Sequence, residues 1–185
     1  MTEYQKMLNG EAFDGADPQM CAVRDRALSL TLAFNSCADF GQSQQLFSQL
    51  VNRIGKGSIV KPPFLCEFGE QISIGDNTFF NMGITMLDGA TITIGNNVMI
   101  GPSCQLYTAS HSLDHRQRRQ WQTYCKPIVI EDDVWIGGNV VINQGVTIGA
   151  RSVVAAGSVV NHDVPPDCLV GGTPARVLKS LASVD

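Results

Sequence analysis

The protein has 185 residues, a formal net charge of −4, 44% hydrophobic residues and 16% charged residues. This length favours a single domain, and the composition excludes a highly charged disordered chain. With a net negative charge, the chain offers no broad basic surface for a nucleic-acid backbone. It also has no run of 18 apolar residues that could span a membrane.

The first residues lack the apolar segment of a signal peptide, which predicts a cytoplasmic protein. The six cysteines are widely spaced, with no Cys-x-x-Cys and no paired Cys/His spacing. Thiols of a protein without an export signal stay reduced in the cytoplasm. We therefore expect neither disulfides nor a metal site.

Residues 1–53 are predicted to form a helical segment of three short helices. The first covers residues 3–8 and stops at Asn9-Gly10, a typical helix end. The second begins at Asp17-Pro18, with Asp as the N-cap and Pro in the first turn. The third is an amphipathic stretch over residues 43–51.

From Ile54 onward the helical period is replaced by a period of six. The clearest run of aliphatic residues at this interval is Ile130, Ile136, Ile142, Ile148, Val154 and Val160. Four positions after each of these stands a small or β-branched residue: Val134, Val140, Val146, Ser152, Ser158 and Val164. Both positions are expected to point inward.

A six-residue period fits a short strand followed by a sharp turn. Three such units close a triangular coil of 18 residues, and stacked coils pair in parallel about 4.8 Å apart. A buried parallel sheet with crossover helices would need helical patterns of 10–15 residues, and none occurs within 54–110 or 128–165. We predict an all-β core, a left-handed parallel β-helix of hexapeptide repeats over residues 54–177, and a C-terminal tail over 178–185.

A long loop is predicted to interrupt the coils near residues 112–127. Ile94 and Ile130 are 36 residues apart, which is one 18-residue coil plus an 18-residue insertion. The insertion is basic through Arg116, Arg118 and Arg119. We expect this loop to shape a pocket, and we expect the β-helix to close without residues 113–126.

Several segments across nearly the whole chain resemble the maltose and galactoside O-acetyltransferases, within the hexapeptide-repeat acyltransferase superfamily. The segments that carry the resemblance are Lys6–Glu11, Phe13-Asp14, Phe34-Asn35, Pro62–Phe64, Ile72–Gly75, Val134–Gly138 and Gly172–Val177. The resemblance implies an enzyme that transfers the acetyl group of acetyl-CoA to a sugar hydroxyl, and it implies a homotrimer.

The resemblance also implies the catalytic groups. Moving an acetyl group from a thioester to a hydroxyl needs a base near pH 7, the usual task of histidine. The run Ala109–His115 resembles the family segment whose first histidine is catalytic, so His111 is expected to be the general base. Gly138 is expected to donate a backbone N–H to the oxyanion, and Asn81 to touch both acceptor and histidine. The group that orients the His111 ring cannot be identified from the sequence.

The same comparison implies acceptor contacts and donor contacts. The expected acceptor contacts are Asp14, Arg24, Glu67 and Asn81. Glu67 is acidic where the galactoside branch has serine, which favours a maltose- or glucose-like acceptor. The positions that match the family's acetyl-CoA contacts are Trp135, Gly138, Ala156, Asn161, His162, Arg176 and Lys179. Many relatives carry Thr-Lys where this chain has Asn161-His162. The resemblance therefore does not decide one of the contacts to the phosphate or adenine of the donor.

Two other functions remain as alternatives. A xenobiotic or other small-molecule acyltransferase would use the same base and donor, but it would lack the N-terminal helical segment. A non-enzymatic or metal-binding hexapeptide protein of the γ-carbonic-anhydrase type would need three histidines on adjacent coils. His111 and His115 share one segment and His162 lies far along the chain. We therefore predict no catalytic metal, no nucleic-acid partner and no membrane partner.

Overall fold

The computed structural model describes residues 1–182, and the chain begins with three helices: α1 (Glu3–Leu8), α2 (Pro18–Ser36) and α3 (Phe40–Leu50). Asp17 caps α2 as predicted, because its side chain accepts hydrogen bonds from two first-turn N–H groups. The third helix begins three residues before its predicted start, because Asp39 caps it by accepting from the Gln42 N–H.

Most strands belong to three sheets that form the walls of a triangular prism. The first sheet contains β1 (Arg53–Ile54), β4 (Ile72–Ile74), β7 (Ile92–Ile94), β12 (Ile128–Ile130) and β15 (Thr147–Ile148). The second contains β2 (Ile59–Val60), β5 (Phe79–Phe80), β8 (Met99–Ile100), β13 (Trp135–Ile136), β16 (Val153–Val154), β18 (Cys168–Gly172) and β19 (Ala175–Ser180). The third contains β3 (Phe64–Cys66), β6 (Ile84–Leu87), β9 (Gln105–Tyr107), β14 (Val141–Ile142) and β17 (Val159–Val160). Except for β18 with β19, all pairs in these sheets are parallel, so the predicted left-handed parallel β-helix of hexapeptide repeats is confirmed.

The residues of the six-residue period form the core of the prism. The aliphatic side chains from Ile130 to Val160 in this series are each at most 1% exposed, and the residues four positions later are also buried. Two of those are serines, and each is satisfied: Ser152 Oγ donates to the Pro165 carbonyl at 2.7 Å and Ser158 Oγ to the Ala155 carbonyl at 2.6 Å. Burial of a hydroxyl therefore costs little here.

All departures from the period lie in one kind of connection, the passage from the third sheet to the first. Met86 and Ile94 are eight residues apart across this corner, whereas Ile142 and Ile148 are six apart. At the coil that follows β9, the same connection carries the long insertion. We call this edge of the prism the variable corner.

The insertion is a hairpin rather than a simple loop. It consists of β10 (Ala109–His111), α4 (His115–Arg118) and β11 (Thr123–Cys125), with β10 and β11 antiparallel. Cys125 is only 4% exposed, and a Cβ added to Gly89 would lie 2.5 Å from its Sγ. Cys125 therefore belongs to the packed corner, and the expectation that the β-helix closes without residues 113–126 stays a prediction.

The helical segment covers the open end of the first coil. The Phe47 ring packs against Phe34 and Phe64, with centroid distances of 5.2 and 5.0 Å. The carboxamide of Asn35 pairs with the Phe64 backbone, donating to its carbonyl at 2.9 Å and accepting from its N–H at 2.8 Å. Since β3 is an edge strand, the segment both buries apolar surface and satisfies free backbone groups.

At the other end, β18 and β19 form an antiparallel pair. Strand β19 crosses the boundary that was predicted at residue 178, because Lys179 and Ser180 still pair with β18. Residues 183–185 of the predicted tail lie outside the described residues. Within residues 1–182, no helix is both long enough and apolar enough to cross a membrane.

A buried carboxyl group organises the variable corner. Asp88 is 0% exposed, and its Oδ1 accepts hydrogen bonds from the N–H groups of Glu67 and Phe68, both at 2.9 Å. Among the described residues its Oδ2 has no hydrogen-bond partner. Burial raises the pKa of Asp88 above the usual aspartate value, although the backbone N–H groups oppose the shift.

This geometry predicts a pH-dependent stability. Because the folded state holds the Asp88 proton more tightly than the unfolded state, the free energy of unfolding falls as pH rises above the usual aspartate pKa of about 4. Asp88→Asn keeps the accepting oxygen and removes the titration. The difference in Tm between Asp88→Asn and wild type should therefore increase by a few degrees as the pH is raised from 4 to 8. For a chain of this size, each kcal/mol of unfolding free energy corresponds to about 2–4 °C in Tm.

Asp88→Ala serves as the matched variant for this measurement. It removes the acceptor of two buried N–H groups, so it should lower Tm at every pH. A Tm difference between wild type and Asp88→Asn that does not change with pH would contradict a raised Asp88 pKa.

Candidate active site

A cavity of about 670 Å³ lies over the variable corner, between the N-terminal segment and the inserted hairpin. Four of the predicted site residues line it: Asp14, Arg24, Glu67 and His111. Its remaining wall is largely apolar and includes Phe13, Phe68, Leu87, Trp121 and Cys125. The corner where the coils depart from their period is thus also where this cavity forms.

His111 stands at the end of β10, and the hairpin fixes its ring. Its Nδ1 lies 3.3 Å from the Gln122 carbonyl oxygen and 3.3 Å from Thr123 Oγ1. The Thr123 hydroxyl donates its proton to the Trp121 carbonyl at 2.9 Å. Because a carbonyl oxygen can only accept, the geometry assigns the proton to Nδ1 and leaves the lone pair on Nε2. The orienting group that the sequence could not identify is therefore the facing strand of the hairpin.

Arg24 and Glu67 form the polar wall of the cavity. Arg24 Nε donates to Glu67 Oε1 at 2.9 Å, and both side chains are about 30% exposed. The guanidinium also donates to the Gly15 carbonyl and lies 4.9 Å from the centroid of the Phe68 ring. Arg24 therefore links α2 to the turn that follows α1 and to the end of β3. The ion pair of Arg24 and Glu67 also lines the cavity.

Asp14 lines the same cavity and stabilises its own turn. Its Oδ1 accepts from the Ala16 N–H at 2.9 Å, and its N–H donates to Glu3 Oε2 at 2.7 Å. The turn that follows α1 is therefore held by two carboxylates. Its backbone also supplies the Gly15 carbonyl that accepts from Arg24.

The other predicted catalytic residues lie in a separate groove of about 510 Å³. Asn81, Trp135, Gly138 and Ala156 line this groove, where the second sheet turns toward the third. Trp135 is 53% exposed on the outer face of β13. The groove is mostly apolar, and no hydrogen bond joins the Gly138 N–H to another residue of the described chain.

The remaining donor-side residues lie near the C-terminal end of the prism. His162 and Arg176 line a smaller cavity of about 300 Å³. Asn161 Oδ1 lies 2.7 Å from His162 Nδ1. Lys179 is exposed, pairs with Leu169 in the terminal β-ladder, and lines neither this cavity nor the groove of Trp135.

Within one chain, the predicted catalytic residues do not meet. Asn81 follows β5 at the corner between the second and third sheets, whereas His111 leaves the prism at the variable corner. Asn81 and His111 therefore do not meet within one chain, because the two residues occupy different corners of the triangular coil. The expected contact between them stays a prediction for a site lined by two chains. Gly138 is separated from His111 in the same way.

Sequence reasoning missed several cavity residues in the hairpin and beneath it. Trp121 and Cys125 line the cavity from the insertion, where the six-residue period gives no information, and the Gln122 carbonyl contacts the His111 ring there. One signal was present, since a tryptophan among arginines and glutamines is unusual for a solvent-exposed loop. Within residues 1–182, no group of three or more His, Cys, Asp or Glu side chains is placed to hold a metal ion.

Two family models match the chain, one in the N-terminal helical segment and one in the β-helix. Residues 6–55 match the maltose acetyltransferase hexapeptide capping motif, and residues 127–162 match the bacterial transferase hexapeptide repeats. Over 187 aligned residues the chain is 37% identical to the galactoside O-acetyltransferase of Escherichia coli, covering 100% of this chain and 92% of the relative.

Two solved structures are also similar over nearly their full lengths. A hexapeptide-repeat-containing acetyltransferase from Vibrio cholerae O1 biovar eltor, complexed with acetyl coenzyme A, is 64% identical with a TM-score of 0.95 and covers 99% of this chain and 100% of its own. A maltose O-acetyltransferase from Clostridium difficile 630 is 38% identical with a TM-score of 0.97 and covers 99% of both chains. The protein is therefore an acetyltransferase that belongs to the maltose and galactoside O-acetyltransferase family.

Proposed function

We propose that the protein transfers the acetyl group of acetyl-CoA to a hydroxyl of a maltose- or glucose-like sugar, with His111 as the general base. The observation that carries this proposal is the placement of His111, which lines the cavity and whose Nδ1 lies 3.3 Å from the Gln122 carbonyl oxygen. The acetyl-CoA complex of the Vibrio cholerae relative supports the donor. The match to the capping motif over residues 6–55 favours a sugar acceptor over a xenobiotic one.

The reaction follows from a proton on Nδ1 of His111, facing that carbonyl. Nε2 removes the proton of the acceptor hydroxyl as its oxygen bonds to the thioester carbonyl carbon. The resulting tetrahedral intermediate carries an oxyanion, which the unpaired Gly138 N–H stabilises. The C–S bond then breaks, and the imidazolium returns its proton to the thiolate of CoA. The Gln122 carbonyl stabilises the imidazolium by accepting from Nδ1–H throughout.

The acceptor is held by the polar wall of the cavity. Glu67 accepts hydrogen bonds from sugar hydroxyls with its second carboxylate oxygen, and Arg24 and Asp14 supply further polar contacts. On the donor side, the apolar groove of Trp135, Gly138 and Ala156 takes the pantetheine arm. Arg176, His162, Asn161 and Lys179 lie toward the C-terminal end and contact the nucleotide part of the donor.

We place this enzyme in the cytoplasm, where acetyl-CoA is available as donor. The six cysteines are free thiols in the structure, which suits a reducing compartment.

Replacement of the base tests this mechanism. His111→Ala should lower the rate of CoA release with glucose or maltose as acceptor by about 10²- to 10⁴-fold, because that is the contribution of a positioned base. The Kd for acetyl-CoA should stay near wild type, since the donor groove does not contain His111. His115→Ala, an exposed histidine on the same hairpin that does not line the cavity, is the matched control. Near wild-type turnover by His111→Ala would remove His111 from the mechanism.

A homotrimer completes the site in this proposal. His111 and Gly138 occupy different corners of one chain, so a neighbouring copy must bring its donor groove to the His111 cavity. The outer face of the second sheet supports such contact, because its ladder is apolar from β2 to β18: Ile59, Phe79, Met99, Trp135, Val153 and Leu169. A closed ring of three copies buries this wall and makes three shared sites.

Complementation between two inactive variants tests the shared site. His111→Ala removes the base, and Ala156→Trp fills the donor groove from an exposed position. In trimers assembled from equal amounts of both, about a quarter of the sites pair an intact base with an intact groove. Mixed assemblies should recover about that fraction of wild-type activity, measured after co-expression. Light scattering checks that the mixed assemblies have the mass of a trimer. If such trimers recover no activity, His111 and the donor groove act within one chain and the shared site is contradicted.

A further inference from the structure

A further cavity of about 400 Å³ lies on the inserted hairpin, and the proposed chemistry does not use it. His111, Arg118, Arg119 and Trp121 line this space, which we call the arginine cavity. His111 and Trp121 also line the larger cavity described above, so the two spaces meet at the proposed general base. A ligand in the arginine cavity therefore lies beside the ring that takes the acceptor proton.

The arginines of this cavity have no counter-charge in the described part of the chain. Within residues 1–182, no ion pair joins Arg118 or Arg119 to a carboxylate. Residues 112–126 contain four cationic side chains and one carboxylate, that of Asp114, so this segment carries +3 while the whole chain carries −4. Since the two guanidinium groups on one wall repel each other, an anion from outside the chain would stabilise them.

The hairpin backbone holds Arg118 in place. Its Nη1 donates to the Ser112 carbonyl at 3.0 Å and to the Leu113 carbonyl at 3.4 Å. These bonds use one nitrogen of the guanidinium, so Nε and Nη2 keep their protons for a ligand. The two N–H groups along this edge of an arginine match the paired oxygens of a carboxylate or a phosphate.

The other side chains on this wall are also hydrogen-bond donors. The guanidinium of Arg119 has no acceptor atom, and the indole N–H of Trp121 only donates. The backbone at both positions is fixed. The Arg119 N–H donates to the His115 carbonyl at 3.0 Å, and the Trp121 N–H donates to the Arg118 carbonyl at the same distance. A wall of donors and positive charge favours an oxyanion, because a neutral hydroxyl leaves both charges uncompensated.

We infer that the arginine cavity binds an oxyanion, a carboxylate or phosphate group, at Arg118 and Arg119 beside the His111 ring. In the proposed reaction the donor does not supply this anion, because its nucleotide part lies toward the C-terminal end of the prism. The anion has two possible sources: a charged group on the acceptor, or a free anion that binds independently of the acceptor. The site itself does not depend on the proposed function, whereas the choice between the two sources rests on it.

Titration with inorganic phosphate tests the site without an acetylation assay. The His111 ring signals of the full chain are followed by nitrogen-15 NMR at constant pH, with chloride exchanged for phosphate so that the ionic strength stays constant. We expect a saturable shift with a Kd of about 1–10 mM, because both guanidinium groups are solvent-exposed and therefore screened. The absence of a saturable shift overturns the inference, and it does so even if a neighbouring copy neutralises the arginines.

Two variants that remove the same charge locate the effect. Arg119→Gln should weaken phosphate binding about fivefold or more, since it removes a charged donor from the cavity. Arg116→Gln is the matched control, because Arg116 lies on α4 but does not line the cavity. It should change the phosphate Kd by less than about twofold. Equal weakening by both variants would show a general effect of surface charge and overturn the inference. If Arg119→Gln weakens acetyl-CoA binding and leaves phosphate binding unchanged, the arginines serve the donor and the inference is equally wrong.

An acetylation assay then identifies the source of the anion. The kcat/KM from CoA release is compared for glucose, glucose 1-phosphate and glucose 6-phosphate. If the acceptor carries the anion, at least one sugar phosphate should exceed glucose about fivefold or more, and Arg119→Gln should remove the gain. If neither sugar phosphate exceeds glucose, the saturable phosphate binding supports a site for a free anion. Failure of the enzyme to acetylate any of these sugars or maltose, with phosphate binding intact, contradicts the proposed function and leaves the anion site supported.

Discussion

The structure depends on the stacking of six-residue repeats, because no coil can bury its own aliphatic side chains. Each inward residue packs against the equivalent residue of the coil above and below, which places Ile94, Ile130 and Ile148 in one column. A column of this kind tolerates no change of length within a strand. Extra residues can therefore enter only at a corner, and in this chain the two-residue additions and the hairpin all enter at the variable corner.

The same constraint explains where the site lies. The variable corner supplies a turn, a hairpin and the contact surface of the N-terminal segment, and together these line the cavity that contains His111. Asp88 connects these parts through hydrogen bonds to the end of β3, and Arg24 connects the same point to the turn after α1. The hairpin then aims His111 through backbone and hydroxyl oxygens rather than through a buried carboxylate.

The regular part of this architecture could be predicted from the sequence, and the irregular part could not. The period from Ile130 to Val160 and the cap at Asp17 each reflect a local rule, so they appear in the structure as expected. The hairpin follows no such rule, because its shape depends on long-range contacts such as that between Cys125 and Gly89. The separation of Asn81 and His111 at different corners is the arrangement that a site lined by two chains of the expected homotrimer requires.

The hairpin holds the His111 ring with a proton on Nδ1, facing the Gln122 carbonyl, which leaves Nε2 to accept a proton from the acceptor. Nitrogen-15 NMR of the histidine rings measures this state directly, with the His111 signals assigned by their loss in His111→Gln. For the neutral ring of His111 we expect a protonated Nδ1 and an unprotonated Nε2, as the Gln122 carbonyl requires. A dominant tautomer with the proton on Nε2 would contradict it, because that ring could not accept the hydroxyl proton at the cavity wall.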